Sequence, residues 1–377
     1  FHMKVAIFFS NGVSLDTWRI TGLLAREVKL YNELAEKYGI EFTFITYGDE
    51  SDCNILKGDS RIKVVPVYKY MPRYKNKVIR ILQTTIIPII LRNKLKKMDL
   101  YKTNQLWGGW VAVISKWLFR KPLLVRSGFE FNIFAKKEKR SLLFLYFSKF
   151  ISRILYRSAD HIHVATECDR DYVIQNFSVA ENKIEVRPNW IDTKVYKNYN
   201  LPRVMDKILF VGRFSEQKNI PLLIKALEGT GLILSLYGQG QLESKIMNLA
   251  KEKNVSVEMC GVYSNNDMPD IYNKYQIYVL CSKFEGNPKS LLEAMSCGCS
   301  VVGTNVFGIN NIIRNLENGL LSEENSSDLR RVILSLKNSS DLQISCGKEA
   351  RNSILRNNSL KSACALEIQA YRSLVNR

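Results

Sequence analysis

The pattern of hydrophobic and polar positions in the first half of the chain predicts alternating strands and helices. Helical periodicity over about residues 17–38 separates the first two of several short apolar runs. The predicted strands lie at residues 4–9, 40–47, 61–68, 123–126, 161–165 and 184–187. Strands that alternate with helices build a parallel sheet that helices cover on both faces. We therefore predict an α/β domain with a doubly wound parallel sheet.

A second series of the same kind follows the polar stretch 193–206, which we interpret as a linker. Its predicted strands lie at residues 208–212, 233–238, 255–260, 277–281 and 300–304, and its predicted helices at 220–228, 241–252, 267–274 and 288–297. A chain of 377 residues is long enough for two hydrophobic cores. We expect two Rossmann-like domains, 1–195 and 196–361, facing each other across a cleft in which ligands bind.

The charge of the chain is concentrated in one segment. The formal net charge is +19, and residues 61–157 hold 23 Lys and Arg against 3 Asp and Glu, a net charge of +20. A basic surface of this size favours a polyanionic partner, which could be nucleic acid, anionic lipid or a phosphorylated substrate.

Two basic stretches favour lipid among these partners. Residues 75–97 flank the apolar run 81–91 with Lys and Arg, and residues 136–157 combine Leu and Phe with Lys and Arg. Both are short of the roughly 18–20 apolar residues that span a bilayer, but basic amphipathic helices bind anionic lipid surfaces. We predict that both stretches dock on an anionic membrane and that nucleic acid is not a partner. In the alternative interpretation, their apolar faces pack on the sheet and their charges are merely solvated. Aromatic residues among the cations of 136–157 also leave nucleic-acid binding as an alternative.

The second half contains a pair of cations directly after a predicted strand. The strand ends at Gly212, and Arg213 and Lys218 follow in the sequence VGRFSEQKN. An arginine can bind phosphate oxygens in a bidentate manner, and a lysine supplies a point charge. The pair suits a diphosphate, although a surface loop with two cations is common.

The sequence FEGNPKSLLEAMSCG, residues 284–298, combines two carboxylates with a helix start. Glu285 follows a strand, Pro288 suits the first helical position, and Glu293 falls in the second turn. Amides at a helix N-terminus bind anionic oxygens, and the flanking carboxylates can accept hydrogen bonds from sugar hydroxyls. The alternative is that Glu285 is an exposed loop acid and Glu293 a helix-surface acid.

Other motifs are less informative. Gly12, after the first strand, would let the backbone approach a phosphate closely. No G-x-G-x-x-G motif follows a strand, and its absence disfavours a dinucleotide-dependent dehydrogenase. We interpret the D-x-D sequence at residues 169–171 as the first turn of a helix, and Cys297 and Cys299 as structural thiols, so no metal site is predicted.

Residues 208–320 resemble glycosyltransferase family four, through VGRFSEQKN, YGQGQLE, EGNPKSLLEAMSCGCSVVGTNVFGINNII and NGLL, and VRPNWIDT at 186–193 extends the likeness. The resemblance implies a GT-B fold and a retaining transfer from a nucleotide diphosphate sugar, without cofactor or metal. It also implies that the C-terminal helix, 362–377, packs on the first domain. The implied catalytic residues are Arg213, Lys218 and Glu285, and the implied donor-binding residues are these three with Gly12, Gly286, Asn287, Lys289, Ser290 and Glu293.

Within these implied roles, Arg213 and Lys218 neutralise the diphosphate, Glu285 holds the transferred sugar and Glu293 holds the ribose. The acceptor side departs from the family pattern, which often has a histidine where this chain reads LLVRSGFEF, 123–131. Either Arg126 or Glu130 replaces that histidine, or its role is absent.

The expected function is transfer to a lipid-linked or glycan acceptor in the synthesis of lipopolysaccharide, O-antigen or capsule, with UDP favoured over GDP as the carrier. Eight cysteines without a disulfide framework, and no secretion signal after Met3, indicate the cytoplasm, with the protein peripheral on the inner face of the cell membrane. The alternatives are a GT-B nucleotide-sugar isomerase, a basic nucleic-acid-binding protein and an inactive partner subunit.

Overall fold

A computed structural model describes residues 3–56, 61–128 and 141–376, which form two compact units. The first unit comprises Phe1–Pro188 and Ala363–Arg377, and the second comprises Asn189–Ser362. The second unit begins before the predicted boundary at residue 196. The reason is that the Asn189 amide donates to Asn287 Oδ1 at 2.9 Å and the Ile191 amide donates to the Asn358 carbonyl at 2.7 Å.

The described residues of the first unit contain a seven-stranded sheet whose strands are all parallel. The strands are β1 (Lys4–Phe8), β2 (Glu41–Thr46), β3 (Ile62–Pro66), β4 (Leu100–Thr103), β5 (Leu123–Ser127), β6 (His161–Val164) and β7 (Ile184–Val186). Their order is β3-β2-β1-β4-β5-β6-β7, so the chain reverses its direction of winding between β1 and β4. This is the doubly wound arrangement that the sequence predicted.

Helices connect these strands. They are α1 (Leu15–Ile20), α2 (Leu24–Tyr38), α3 (Asp52–Ile55), α4 (Lys77–Gln83), α5 (Ile87–Ile90), α6 (Arg92–Leu95), α7 (Trp110–Phe119), α8 (Leu142–Ser158) and α9 (Glu167–Phe177), with 3-10 turns at Val67–Lys69, Thr84–Ile86 and Glu181–Lys183. The D-x-D sequence lies in the first turn of α9, where the Asp169 amide donates to the N-cap hydroxyl of Thr166 at 3.1 Å. Asp169 is buried, and its contact with the N-cap hydroxyl shows that it helps to begin this helix.

The second unit contains a six-stranded parallel sheet in the order β10-β9-β8-β11-β12-β13. Its strands are β8 (Val204–Val211), β9 (Ile233–Tyr237), β10 (Val257–Gly261), β11 (Tyr275–Leu280), β12 (Ser300–Thr304) and β13 (Leu320–Ser322). Its helices are α10 (Ile220–Leu227), α11 (Glu243–Glu252), α12 (Met268–Lys274), α13 (Lys289–Ser296), α14 (Ser326–Lys337) and α15 (Ser340–Asn357), with a 3-10 turn at Glu216–Lys218. A last helix, α16 (Leu360–Val375), ends the chain. Together the two units confirm the predicted fold class.

The sequence pattern did not predict strand β4, because a lysine interrupts its apolar residues. Lys102 is fully buried, and its ammonium donates to Glu367 Oε2 at 2.7 Å and to the Tyr371 hydroxyl at 3.0 Å. Glu367 and Tyr371 lie on α16, within the segment that clusters with the first unit. Burial alone would raise the pKa of Glu367, but Lys102 and His163 outweigh it and hold that pKa well below its usual range. The ion pair therefore holds the end of the chain against the first sheet.

We predict that Lys102→Met lowers the free energy of unfolding by about 3–5 kcal/mol, because it leaves the buried Glu367 carboxylate without its ammonium. Lys63→Met is the matched control. Lys63 forms an ion pair with Glu41 at the same 2.7 Å, but its side chain is 68% exposed. This control should cost about 0–1 kcal/mol. Denaturant unfolding of the two variants measures both values, and equal losses would contradict a stabilising role for the buried pair.

Candidate functional site

The loops after β8 and β11 meet at one edge of the second sheet. These strands are neighbours in the sheet although two strands separate them in sequence, and the chain reverses its direction of winding between them. Because every strand is parallel, the carboxyl ends lie at the same edge, and ligands of open α/β sheets bind at such a reversal. The Lys283 amide donates to the Gln217 carbonyl at 2.9 Å, and Gln217 Nε2 donates to the Phe284 carbonyl at 3.0 Å. The two loops are thus joined by one backbone hydrogen bond and one side-chain hydrogen bond.

A buried ion pair joins the same two loops. Lys218 Nζ lies 2.5 Å from Glu285 Oε1, and the side chains are only 13% and 8% exposed. Ser282 donates its hydroxyl to the same carboxylate oxygen at 2.6 Å. Lys218 and Glu285, which the sequence analysis assigned to diphosphate and sugar, are therefore each other's counterions in this structure.

A glycine supports the backbone of Glu285 from the turn after β12. Gly308 has φ +86°, and a Cβ atom there would lie 2.2 Å from the Glu285 carbonyl oxygen. The Glu285 amide donates to the Phe307 carbonyl at 2.9 Å. Only glycine allows the two segments to approach this closely.

Arg213 and Glu293 line one cavity of about 340 Å³ at this edge of the sheet. The remaining lining comes from the ends of β8, β9 and β10 and from α12: Val211, Gly212, Tyr237, Gly238, Gln239, Gly261, Val262, Tyr263, Asn265 and Met268. A Cβ atom on Gly238 would lie 1.9 Å from the Gly212 carbonyl oxygen, so the loops after β8 and β9 are in direct contact. The cavity combines an exposed guanidinium, a carboxylate and several backbone groups, which together suit an anionic ligand with hydroxyls.

Glu293 is oriented by a buried tyrosine. The Tyr272 hydroxyl donates to Glu293 Oε2 at 2.9 Å. Burial raises the pKa of Tyr272 well above its usual value, and the neighbouring Glu293 raises it further, so the hydroxyl keeps its proton. The alternative of Glu293 as a free helix-surface acid is wrong, because this carboxylate lines the cavity and has a buried partner.

Helix α13 begins one residue later than predicted. Pro288 is its N-cap, with φ −70° and ψ 114°, and Lys289 is the first helical residue. The shift arises because the Pro288 backbone is extended rather than helical. Helix boundaries commonly differ by one residue at such ends. The Ser290 hydroxyl and the Tyr278 hydroxyl lie 2.9 Å apart, and Asn287 Oδ1 accepts from the Asn189 amide. Residues 286–290 are therefore held in place by side chains as well as by the helix.

The remaining predicted residues belong to the first unit. Gly12 is exposed in the loop after β1 with φ +80°, and the adjacent Asn11 amide donates to the Trp107 carbonyl at 3.2 Å. Arg126 is largely buried, and its Nη1 lies 3.6 Å from Glu27 Oε2. The role of Arg126 on the acceptor side stays a prediction. Glu130 lies outside the described residues.

Several residues of the site were not predicted. Tyr272, Tyr278, Ser282 and Gly308 hold the predicted groups in position rather than presenting a charge. Tyr278 falls in an apolar strand and Tyr272 in a predicted helix, so both resemble core residues in a sequence. Gly308, in VFGINN, was the one available signal, since a glycine in the loop that follows a strand can mark a turn or a close backbone approach.

Comparison with known proteins agrees with this fold. The family model described as "Glycosyl transferases group 1" matches residues 195–353, and the model described as "Glycosyltransferase Family 4" matches residues 28–195. The two sheets, each with a reversal of winding, define a protein of the GT-B fold. The chain belongs to glycosyltransferase family 4.

Two curated relatives and one solved structure illustrate the likeness. The N-acetylgalactosamine-N,N'-diacetylbacillosaminyl-diphospho-undecaprenol 4-alpha-N-acetylgalactosaminyltransferase of Campylobacter jejuni is 32% identical over 182 residues, 47% of this chain and 50% of that protein. The UDP-Gal:alpha-D-GlcNAc-diphosphoundecaprenol alpha-1,3-galactosyltransferase of Escherichia coli is 28% identical over 257 residues, 62% of this chain and 65% of that protein. The crystal structure of Anabaena HepE in complex with UDP is similar with a TM-score of 0.76 and 16% identity, over 99% of this chain and 100% of that chain. The matched region thus spans half to about two thirds of the curated relatives, and HepE shares the fold.

We predict that Gly308→Ala lowers the free energy of unfolding by about 1–3 kcal/mol more than Gly229→Ala does, because its methyl group must displace the Glu285 backbone. Gly229 is a matched control, since it has φ +73° and open space around its Cβ position. Both variants carry the same kind of backbone strain, so their difference in denaturant unfolding isolates the steric clash. Equal losses would show that Gly308 does not support the Glu285 loop.

Proposed function

We propose that this chain is a retaining glycosyltransferase that moves a sugar from a nucleotide diphosphate sugar to a lipid-linked or glycan acceptor. The observation that carries the proposal is the convergence of Arg213 and Glu293 on one cavity, at the same sheet edge as the Lys218–Glu285 pair. Cations stabilise the negative charge of a departing diphosphate, and carboxylates bind sugar and ribose hydroxyls. The four side chains supply both functions at one edge.

In the proposed reaction, Arg213 and Lys218 stabilise the charge that develops on the leaving diphosphate, and the amides at the start of α13 add to this potential. Glu285 binds hydroxyls of the transferred sugar and Glu293 binds the ribose. The acceptor hydroxyl attacks on the face from which the diphosphate leaves, and the leaving phosphate takes its proton. This scheme uses no metal and no side-chain base.

The ion pair of Lys218 and Glu285 is compatible with these roles. An ammonium group has three N–H donors, and in this structure one is directed to Glu285 Oε1. Lys218 can therefore donate to a phosphate oxygen while it still contacts Glu285. The carboxylate keeps its other oxygen for a sugar hydroxyl.

The comparisons support the substrate classes that we propose. HepE was solved with UDP, and the E. coli relative is named for UDP-Gal, so UDP is the carrier we favour over GDP. Both curated relatives are named for sugars on diphospho-undecaprenol. We propose a lipid-linked acceptor of this kind, at the cytoplasmic face of the membrane, in the synthesis of a surface polysaccharide such as lipopolysaccharide, O-antigen or capsule.

The surface of helix α8 supports binding to a membrane. Its exposed face carries large apolar side chains spaced along one side of the helix, while its buried face includes two serines. The exposed apolar residues are Leu142, Leu143, Tyr146, Phe147 and Phe150, and Lys149 and Arg153 are exposed beside them. The alternative that the apolar residues are buried is wrong for these five side chains, although Leu155 and Tyr156 of the same helix are buried. Residues 136–140 lie outside the described residues. An apolar face flanked by cations suits an anionic bilayer surface.

Residues 75–97 present a similar surface on short helices rather than on one continuous helix. Thr84, Ile87 and Pro88 are buried, and the Trp110 indole donates to Thr84 at 2.8 Å. The exposed apolar residues of this stretch are Val78, Ile79, Ile81, Leu82, Ile86, Ile89 and Ile90. Within the described residues, every helix is too short or too polar to cross a bilayer. We propose that both surfaces lie on the membrane.

We predict that Lys218→Ala and Glu285→Ala each lower turnover by at least roughly 100-fold, because each removes a preorganised charge from the reacting centre. Glu216→Ala is the control, since Glu216 lies in the same turn but is exposed. A thermal-shift screen of nucleotide sugars on wild-type protein identifies the donor, which stabilises the fold by binding it. Turnover is then measured with that donor and an undecaprenyl-diphosphate sugar, and the anomeric configuration of the product tests retention. Wild-type turnover in both folded variants would remove these residues from the site.

We predict that replacing Leu142, Phe147 and Phe150 together by Ser lowers partition onto anionic vesicles by at least about ten-fold, because a buried apolar side chain contributes about 1.5–3 kcal/mol. The control replaces three exposed apolar residues of the second unit, Met247, Ile344 and Leu355, by Ser. Vesicle flotation at low and high salt measures partition. An equal loss in the control would show that α8 is not the docking surface. A separate gel-shift measurement with RNA or DNA tests the nucleic-acid alternative.

A further inference from the structure

Two histidines and a glutamate form a compact cluster on two neighbouring strands of the first unit. His161 and His163 are two residues apart on β6, so their side chains emerge on the same face of the sheet. Glu185 lies on the neighbouring strand β7, directly opposite His163. Among the described residues, the potential ligand atoms of these three side chains lie within 4.8 Å of one another.

The distances in the cluster match the spacing of ligands around a small metal ion. His161 Nε2 lies 2.9 Å and His163 Nε2 lies 3.9 Å from the same oxygen, Glu185 Oε2. Ligands that are each about 2.0–2.1 Å from a tetrahedral zinc ion lie roughly 3.3 Å apart. The two observed distances fall on both sides of this value, and all three ligand atoms lie within 4.8 Å of one another, so side-chain rotations would bring them to a common centre.

His163 is the observation that calls for a ligand. Its side chain is fully buried, and neither ring nitrogen has a partner within hydrogen-bond distance, since the carboxylate oxygens of Glu367 and Glu185 lie 3.6 and 3.9 Å away. Such unpaired buried groups are rare in folded proteins, because each loses its bond to water without replacement.

The surroundings supply an orienting group and an entry path. His163 Nδ1 faces Glu367 Oε1 at 3.6 Å, which resembles the carboxylate–histidine pairs that direct the other ring nitrogen toward a metal. His161 and Glu185 are 14% and 37% exposed, so an ion can reach the cluster from solvent. Arg187 Nη2 lies 2.5 Å from Glu185 Oε2 and competes for this oxygen, which limits the affinity.

We propose that His161, His163 and Glu185 bind a divalent transition metal, with zinc as the best match to two imidazoles and a carboxylate. Glu367 acts through His163 as a positioning residue. Because Glu367 lies on α16, the bound ion would connect β6 and β7 to the end of the chain. The three ligands lie on β6 and β7 of the first unit, whereas the four charged groups of the proposed sugar transfer belong to the second unit.

The test measures zinc binding by the full chain after chelator treatment, in competition with a chromophoric zinc chelator. We expect one zinc ion per wild-type chain and a dissociation constant at least ten-fold higher in His161→Gln and in Glu185→Gln. These partly exposed positions should tolerate the changes, and circular dichroism of the metal-free variants checks the fold. Zinc should also raise the melting temperature of wild type more than that of either variant.

Two controls separate this site from other zinc ligands. Cys168→Ser removes an exposed thiol on α9, and Glu181→Gln removes an exposed carboxylate before β7. Both should leave the dissociation constant within about two-fold of wild type. The proposal is overturned if wild type retains no zinc, if His161→Gln binds zinc as tightly as wild type, or if Cys168→Ser abolishes binding.

Discussion

The ion pair between Lys218 and Glu285 is the interaction on which the candidate site depends. It lies where the second sheet reverses its winding, and it joins the loop after β8 to the loop after β11. Removing two charges from water is costly, and the cost is offset only by close contact and further hydrogen bonds, here including one from Ser282. Neither charge can leave the other without finding a new partner. The pair therefore holds the two loops in one arrangement.

Much of this site could be predicted from sequence because parallel strands bring their carboxyl ends to one edge. Arg213 and Glu293 are distant in sequence but line one cavity, as the alternation of strands and helices implies. The pairing of Lys218 with Glu285 could not be predicted, since sequence assigns each charge to a ligand and says nothing of their distance. Strand β4 was missed because Lys102 interrupts its pattern, and β13, Leu320–Ser322, is too short to show one.

Periodicity also left open which face of a helix points to the core. In α8, Ser148 and Ser152 face inward, where small side chains allow the helix to lie close to its neighbours. Leu143 and Phe147 face outward, with the side chain of Leu143 81% exposed. The sequence pattern of this helix is amphipathic in either orientation, so only the fold decides between a buried and a presented apolar face. The decision matters because an exposed apolar face needs a partner, whereas a buried one does not.

Buried charge serves a different purpose in the first unit. Apolar packing is non-directional, so by itself it would hold α16 on the sheet without fixing the position of the helix along it. Lys102 on β4 and Glu367 on α16 are 265 residues apart in sequence, and their contact can form in one position only. Since the first unit includes residues 363–377, its buried charges cannot all be paired until α16 has packed on the sheet. Closing so long a loop costs conformational entropy, and the first unit recovers that cost only when the last helix is in place.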